Sequence, residues 1–443
     1  MNIQLSDHFT YGKLLRFTIP SIGMMIFTSI YGIVDGIFVS NFVGKTAFAA
    51  VNLIMPFVMI FGALGFMIGT GGCALISKTM GEGKKDKANE IFTELIVASA
   101  VLGILLTVVG IVMMRPIAVF LGAEGQMVSD CVVYGRILLA TLVCFILQNE
   151  FQSFCVAAER PRMGLWITVA AGLTNIVLDA VFVGVLRWGL VGAAAATAVS
   201  QLVGGVIPLV YFLLPNSTVL RLRRFRFDGK ALLRSCTNGS SELVSNLSLS
   251  LVNMLFNFQL LRFAGENGVA AYGVIMYVNF IFVGIYLGYA FGVAPAISFH
   301  YGAGNREELR SLLKKSLGII AFFAVTLTAG AELLSGFLSG IFVGYDPELY
   351  ALTCRGFRIY AAAFLFMGFN MFGSSFFTAL NDGLVSALIS FLRAFLFQVG
   401  AILVLPALWG VDGVWMAVVT AELLAIAVTA VCFLKKRKTY QYF

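Results

Sequence analysis

Long apolar runs separated by short polar stretches recur along the whole chain, and each run has the length of a bilayer-crossing helix rather than of a core helix. Setting runs against breaks predicts about twelve spans. In the first half they cover 14–40, 47–72, 90–114, 129–155, 164–186 and 190–214. In the second half they cover 238–262, 268–297, 315–343, 353–380, 384–407 and 413–434. They are called spans 1 to 12 below. The fold class expected is an all-α polytopic membrane protein with two pseudo-symmetric six-helix lobes.

The pattern also repeats. Under a shift of 221 residues, AlaLeuIleSer at 74–77 with Gly81 and Gly83 meets AlaIleSer at 296–298 with Gly302 and Gly304. Gly135 meets Gly356, and GLVGA beginning at Gly189 meets GVDGV beginning at Gly410. Self-similarity over half a membrane chain implies two lobes. Each crosses an even number of times, so both have one orientation, related about the membrane normal. The domains expected are an N-terminal lobe at 1–214, a basic linker at 215–237 and a C-terminal lobe with its tail at 238–443.

Composition sharpens this picture. The 443 residues are 60% hydrophobic and 12% charged, with mean hydropathy +0.94. That excludes soluble, coiled-coil, collagen-like and disordered classes. The net charge of +8 is a topology signal, because 22 of the 30 Lys and Arg residues fall in alternate loops and the two termini. The opposite loops hold Lys45, Arg115, Arg187 and Arg262, while Arg136, Arg355, Arg358 and Arg393 lie within spans. The positive-inside rule then puts both termini in the cytoplasm. The RLRRFRF run at 221–227 reads as a linker beside anionic lipid rather than a nucleic-acid patch. The start of the chain lacks the layout of a cleaved signal, so span 1 stays as a helix. Seven scattered cysteines read as small buried hydrophobes, with no metal or disulfide pattern.

Acids within the hydrocarbon are costly and therefore point to function. Asp35 in span 1 and Asp179 in span 5 are the clear ones, whereas Glu242, Glu332 and Glu422 sit nearer a helix end or lack polar company. Asp179 and Thr197 each lie nine residues from Trp188 at the tip of a hairpin. At 1.5 Å per residue both reach a depth of about 13 Å. Asp35, ten residues before Lys45, reaches a comparable level, and Asn175 is one turn from Asp179 on the same face. Tyr134 and, deeper, Asn149 on span 4 are placed to join them. The shift turns Asp35 into Phe256, Asn175 into Leu396, Asp179 into Gly400 and Thr197 into Val418. The second lobe has lost the set, so the fold does not need it. Two carboxylates in one pocket would accept a proton or a hard cation such as Na⁺, both of which fit the same oxygens. Pro20 reads either as a hinge in span 1 or as a first-turn proline.

On FTIPSIGMMIFTSIYGIVDGIFVSNFVG, GEGKKDKA, AAERPRMG, TNIVLDAVFVG and GLVGAAAATAVSQ, the chain resembles the multidrug and toxic compound extrusion (MATE) family over essentially its whole length. It is similar to the DinF-like branch, which includes bacterial multidrug exporters and keeps its acids in the N-terminal lobe. The resemblance implies a secondary antiporter, not an enzyme, that exports amphipathic organic cations, drugs and dyes among them, in exchange for H⁺ or Na⁺ by alternating access. No cofactor, no nucleic acid, a monomeric state and residence in the plasma (inner) membrane, with a place in antibiotic resistance, go with it. It carries the cation site onto Asp35, Asn175, Asp179 and Thr197, with Tyr134 and Asn149 as polar partners and Pro20 as the bending residue. A substrate cavity would draw on Glu242, Phe256, Met276, Tyr277, Phe369 and Met371. Another branch places acids in spans 7 and 10. Here span 10 has none before Asp382, and Glu242 only begins span 7. The alternative function is a flippase for lipid-linked sugar precursors, which would want several cations facing the central cavity. An enzyme would need convergent His, Cys or Ser groups, and only His8 and His300 are present.

Overall fold

A computed structural model describes residues 3–442, with the Lys45 side chain, counted above among the outer-loop charges, outside the described residues. Among the described residues there is no strand. Helices run α1 (Tyr11–Phe42), α2 (Lys45–Gly81), α3 (Lys85–Phe120), α4 (Gln126–Ala140), α5 (Leu142–Ala157), α6 (Pro161–Leu178) and α7 (Gly189–Leu213). Then come α8 (Gly229–Asn238), α9 (Ser240–Gly302), α10 (Arg306–Val343), α11 (Pro347–Ala361), α12 (Phe364–Ala379), α13 (Gly383–Phe391) and α14 (Phe397–Tyr440).

These elements make twelve crossings. The helices α4 and α5 form one span bent by 56°, and α11 with α12 another bent by 46°. The 63 residues of α9 would stretch about 95 Å as a straight rod, three bilayer cores long. Instead the chain reverses at Gly265, where φ is 61°. Tyr272 after the turn stacks on Phe256 before it at 5.4 Å, and its hydroxyl donates to Asn253 Oδ1 at 2.7 Å. Gly410, with φ 58°, reverses α14 in the same way. Both glycines are needed there because L side chains resist left-handed φ. The sequence placed both reversals within a few residues. Helices extend past the predicted spans where capped polar turns continue them beyond the apolar core. Asn305 caps α10 by accepting from the Glu308 amide at 3.1 Å, so that helix starts nine residues before the predicted span.

The 221-residue repeat is carried into geometry. Gly44 and Gly265, Gly83 and Gly304, and Gly189 and Gly410 are matched pairs, all with positive φ. The breaks after Ala140 and Ala361 also match. At the end of the molecule that carries the termini, α2 crosses the second arm of α9. A Cβ on Gly81 would collide with the Phe299 carbonyl, and one on Gly302 with the Lys78 carbonyl. These two contacts exchange under the same shift, so the crossing lies on the pseudo-twofold axis between two six-helix lobes.

Further contacts hold the lobes together at this end. Gly288 and Gly292 let α9 approach Ser21 of α1, and Gly239 abuts Met67 of α2. The segment before α1 bridges both lobes. The Leu5 amide donates to Glu159 Oε1 at 2.7 Å, and the Phe9 amide to Glu308 Oε1 at 2.9 Å, with His8 Nδ1 2.5 Å from Glu308 Oε2. Residues 215–237 are strapped along the N-terminal lobe. Backbone amides of Arg221, Arg223 and Asp228 donate to Asn89, Thr93 and Glu94 of α3. Only α8 within that stretch is helical, capped by Asp228.

Gly302→Val should part α2 from α9, because backbone cannot retreat as a side chain can. Overpacking of about 1–3 kcal/mol would shift the lobes apart in a tenfold or larger fraction of molecules. Cys73, buried on α2 beside Ser375 and Thr378 of the other lobe, reports it. Its modification by a maleimide, read by mass spectrometry, should quicken by about tenfold; an unchanged rate would mean that the crossing is not a closed seam.

Candidate functional site

The N-terminal lobe gathers the predicted polar set. Asp35 rises from α1, and its carboxyl lies within hydrogen-bonding reach of the Asp179 carboxyl and of Asn175. Asn175 Nδ2 donates to Thr197 Oγ1 of α7 at 3.4 Å. Asp179 is fully buried, and no donor among the described residues satisfies either of its oxygens or Asp35 Oδ1. Two carboxylates thus meet with the Asn175 amide beside them.

Local backbone explains the presentation. From Asp179 to Val185 the helix that continues α6 widens into a π-helix. Such a turn breaks the regular i→i−4 register and frequently marks a functional position. Tyr134, fully buried with an unpartnered hydroxyl, lies within range of the charges of Asp35 and Asp179. Asn149 does not join this group. Its amide donates to the Gly62 carbonyl of α2 at 3.0 Å, and its Cβ lies against Gly65. The repeat partner of Asn149 is Asn370, whose amide likewise bonds a facing backbone carbonyl, that of Glu422, at 2.9 Å. A bond kept in both lobes is what a packing role produces.

Two further residues border the pair and were not picked out from sequence. Tyr31 is one turn before Asp35 on α1, lies within range of its charge, and hydrogen-bonds Gln148 of α5. The i, i+4 spacing from Asp35 could have flagged it. Nothing local flags Gln148, which reaches the group by packing against Gly204 of α7.

Pro20 sits inside α1, nine residues past its first residue. The first-turn reading therefore fails: the helix begins well before it, and the Arg16 carbonyl loses its helical amide partner.

The C-terminal lobe gives polar company to Glu422, one of the glutamates read as nearer a helix end or lacking it. A cavity of about 180 Å³ opens between both arms of α9 and α11 to α14. Glu242, Met276 and Met371 line it as anticipated, along with Tyr272, Tyr360 and Met367. Phe256 instead stacks behind Tyr272, Tyr277 stacks on Phe342 at 5.7 Å, and Phe369 packs against the core. Glu422, expected to stand alone, is fully buried and pairs with Arg393 at 3.0 Å. Its other oxygen accepts from Asn370 Nδ2 at 2.8 Å, and Asn370 Oδ1 accepts from Thr429 at 3.0 Å. Arg393 also lies within range of the Glu242 charge. So the four matched positions are apolar, as read, but a different polar cluster occupies this lobe. Of the four arginines placed within spans, Arg393 is the one lining the cavity. Arg136 donates to the Ile111 carbonyl, Arg355 pairs with Asp412, and Arg358 bonds Ser335.

One more acid escaped notice. Glu150 on α5 is fully buried and accepts from Ser99 of α3 at 2.6 Å.

Two six-helix lobes related by an internal repeat, with buried acids in one and a polar cavity in the other, define a membrane transporter rather than an enzyme. The chain belongs to the MatE family, whose profile matches it twice, at residues 20–181 and 243–403. It is similar to the multidrug export protein MepA of Staphylococcus haemolyticus (strain JCSC1435), 23% identical over 414 residues that cover 93% of this chain and 90% of that protein. MepA of Staphylococcus aureus (strain NCTC 8325 / PS 47) is 21% identical over 427 residues, covering 96% and 94%. In fold it matches an outward-facing multidrug resistance MATE family transporter of the MOP superfamily, with TM-score 0.93, 24% identity and coverage of 100% and 99%. A MATE transporter in complex with MaL6 matches with TM-score 0.93, 23% identity and 98% coverage of both chains.

Proposed function

We propose that this protein is a secondary antiporter that exports amphipathic organic cations, drugs and dyes among them, in exchange for H⁺ or Na⁺. It would act as a monomer in the plasma (inner) membrane with both termini cytoplasmic, its lobes at 1–214 and 238–443 rocking about the linker at 215–237. The observation carrying this reading is the contact of Asp35 with Asp179, where no donor among the described residues satisfies either Asp179 oxygen. A buried carboxylate and the half-buried one beside it repel unless a proton or cation lies between them. Asn175 and Thr197 add oxygens suited to a hard cation, so either ion fits the donor set. Filling or emptying the pair changes the charge that α1 and α6 enclose, and that is the quantity alternating access must sense. Pro20, interior to α1, supplies the weak point at which that helix can bend. Binding of the exported cation falls to the C-terminal cavity, where Glu242 offers the charge and Met276, Met371 and Tyr272 offer soft, flat walls.

The direct test is ethidium movement in everted vesicles, with ΔpH and a Na⁺ gradient imposed in turn. Wild type should accumulate the dye under one of the two, and that gradient names the coupling ion. Movement under neither would overturn the antiport reading. Transport of lipid-linked sugars would replace it, a role that one arginine in the C-terminal cavity, Arg393, supports poorly.

A further inference from the structure

A second cavity, of about 310 Å³, lies in the N-terminal lobe at the end that carries the termini, apart from both clusters described above. Its wall combines Arg16 and Pro20 of α1 with Arg160 and Arg162 at the entry to α6, closed by Met163 and by Tyr211 of α7. Three arginines therefore line one small space from two separate elements. The arginines of this chain that form ion pairs among the described residues are Arg223, Arg355 and Arg393, and none of these three belongs to the cavity. Arg160 donates to the Ser217 hydroxyl at 3.1 Å and lies within range of the Glu159 charge. The one carboxylate in the wall, Glu159, is engaged by the Leu5 amide at 2.7 Å.

The surroundings tell what such a group of donors faces. Ile19, three residues after Arg16 on α1, is 58% exposed, and Trp166, four residues after Arg162 on α6, is 69% exposed. Residues three and four apart share a helix face, so Arg16 and Arg162 each have, about one turn (~5 Å) further along the helix, an apolar side chain that must meet lipid. Cationic forks above apolar side chains, with Phe17 and Pro20 as an apolar floor, match a phosphate above acyl chains. Arginine binds phosphate oxygens bidentately, and the apolar neighbours would be poorly matched to a free hydrated ion.

We propose that this cavity holds the phosphate headgroup of an anionic phospholipid at the seam of α1 and α6. A zwitterionic lipid offers the same phosphate, but its cationic headgroup would have to sit among three guanidiniums, so the site discriminates by net charge. The occupant would rest against Pro20, where α1 lacks a backbone hydrogen bond, and lipid composition would thereby bear on the bending of that helix.

The test uses full-length protein in nanodiscs of phosphatidylcholine doped with chain-brominated lipid, which quenches tryptophan on contact. The difference between wild type and Trp166→Phe isolates the Trp166 signal. Brominated phosphatidylglycerol should quench it at about one-tenth the mole fraction that brominated phosphatidylcholine requires, the factor expected of ~1.4 kcal/mol of preference. The Arg16→Gln/Arg162→Gln variant should lose that preference, and Arg223→Gln, which removes an equally exposed positive charge elsewhere, should keep it. Equal quenching by the two lipids in wild type, a measurement that needs no charge variant, would overturn the proposal. So would a preference that survives in the double variant. Abolition of the preference by millimolar inorganic phosphate would also overturn it, since the site would then be one for a free anion.

Discussion

Asp179→Asn is expected to abolish gradient-driven dye efflux, with Asp35→Asn doing the same. Asparagine keeps the size of the carboxylate and the ability to accept a hydrogen bond, but it cannot bind a proton or balance a cation. Asp179 is fully buried beside Asp35, and no protein donor stands in for the missing ion. If the pair is where the coupling ion binds, the driving gradient loses its handle on the protein, and transport should fall by up to about 150-fold, the upper end of the coupling that one site supplies. Folding should not suffer, because replacing one of two buried like charges by an amide removes a repulsion rather than a support. The measurement is initial efflux rate against the amount of protein in the membrane, with thermal stability in detergent alongside. Asn175→Ala, which removes one oxygen and the contact to Thr197, should give a smaller loss. Normal efflux by Asp179→Asn at normal expression would sink the site assignment while leaving the transporter reading intact.

The largest effect on stability is expected in the other lobe. Arg393→Met should destabilise the protein by about 3–5 kcal/mol, the usual consequence of stripping one partner from a buried ion pair. Glu422 is fully buried, and the remaining donor, Asn370, is neutral. Glu242 nearby adds a second negative charge that Arg393 now balances. The double variant Arg393→Met/Glu422→Gln should recover most of the loss, because the amide needs no counter-charge and keeps the bond geometry to Asn370. Unfolding in detergent by heat or denaturant measures both, and the non-additivity of the cycle isolates the pair. A single variant as stable as wild type would show that Glu422 does not depend on Arg393 for its charge balance.

These two clusters differ in how much of them could be read from the chain alone. The N-terminal group was legible because three of its members obey simple arithmetic. Asn175 and Asp179 are a helical turn apart, and Asp179 and Thr197 flank one hairpin tip at equal distance, so span geometry sets their depth. Rotation about each helix axis was not legible, and it is rotation that turns Asn149 towards α2 and brings Gln148 to Tyr31. In the C-terminal cluster, Glu422 looked isolated since its partners are Arg393 and Asn370, on spans 29 and 52 positions earlier in the chain. No local spacing connects such residues. Of the aromatic and sulfur residues suggested for the cavity, Met276 and Met371 reach it and Phe256, Tyr277 and Phe369 do not. In a chain with 41 Phe and 16 Met, hydrophobicity marks every face of a membrane helix and therefore selects none.

The sequence by itself determined the twelve crossings, the internal repeat and the pair of aspartates, because each follows from one-dimensional quantities. Apolar run length must match bilayer thickness, a repeat is a match of the chain with itself, and an acid inside such a run stands out against its neighbours. Only the tertiary structure decided that α2 and α9 cross at Gly81 and Gly302, that Asp35 meets Asp179 without a donor, and that Arg393 balances Glu422. Those depend on helix rotation and on packing between spans far apart in the chain, which interdigitating side chains set and a hydropathy pattern does not encode.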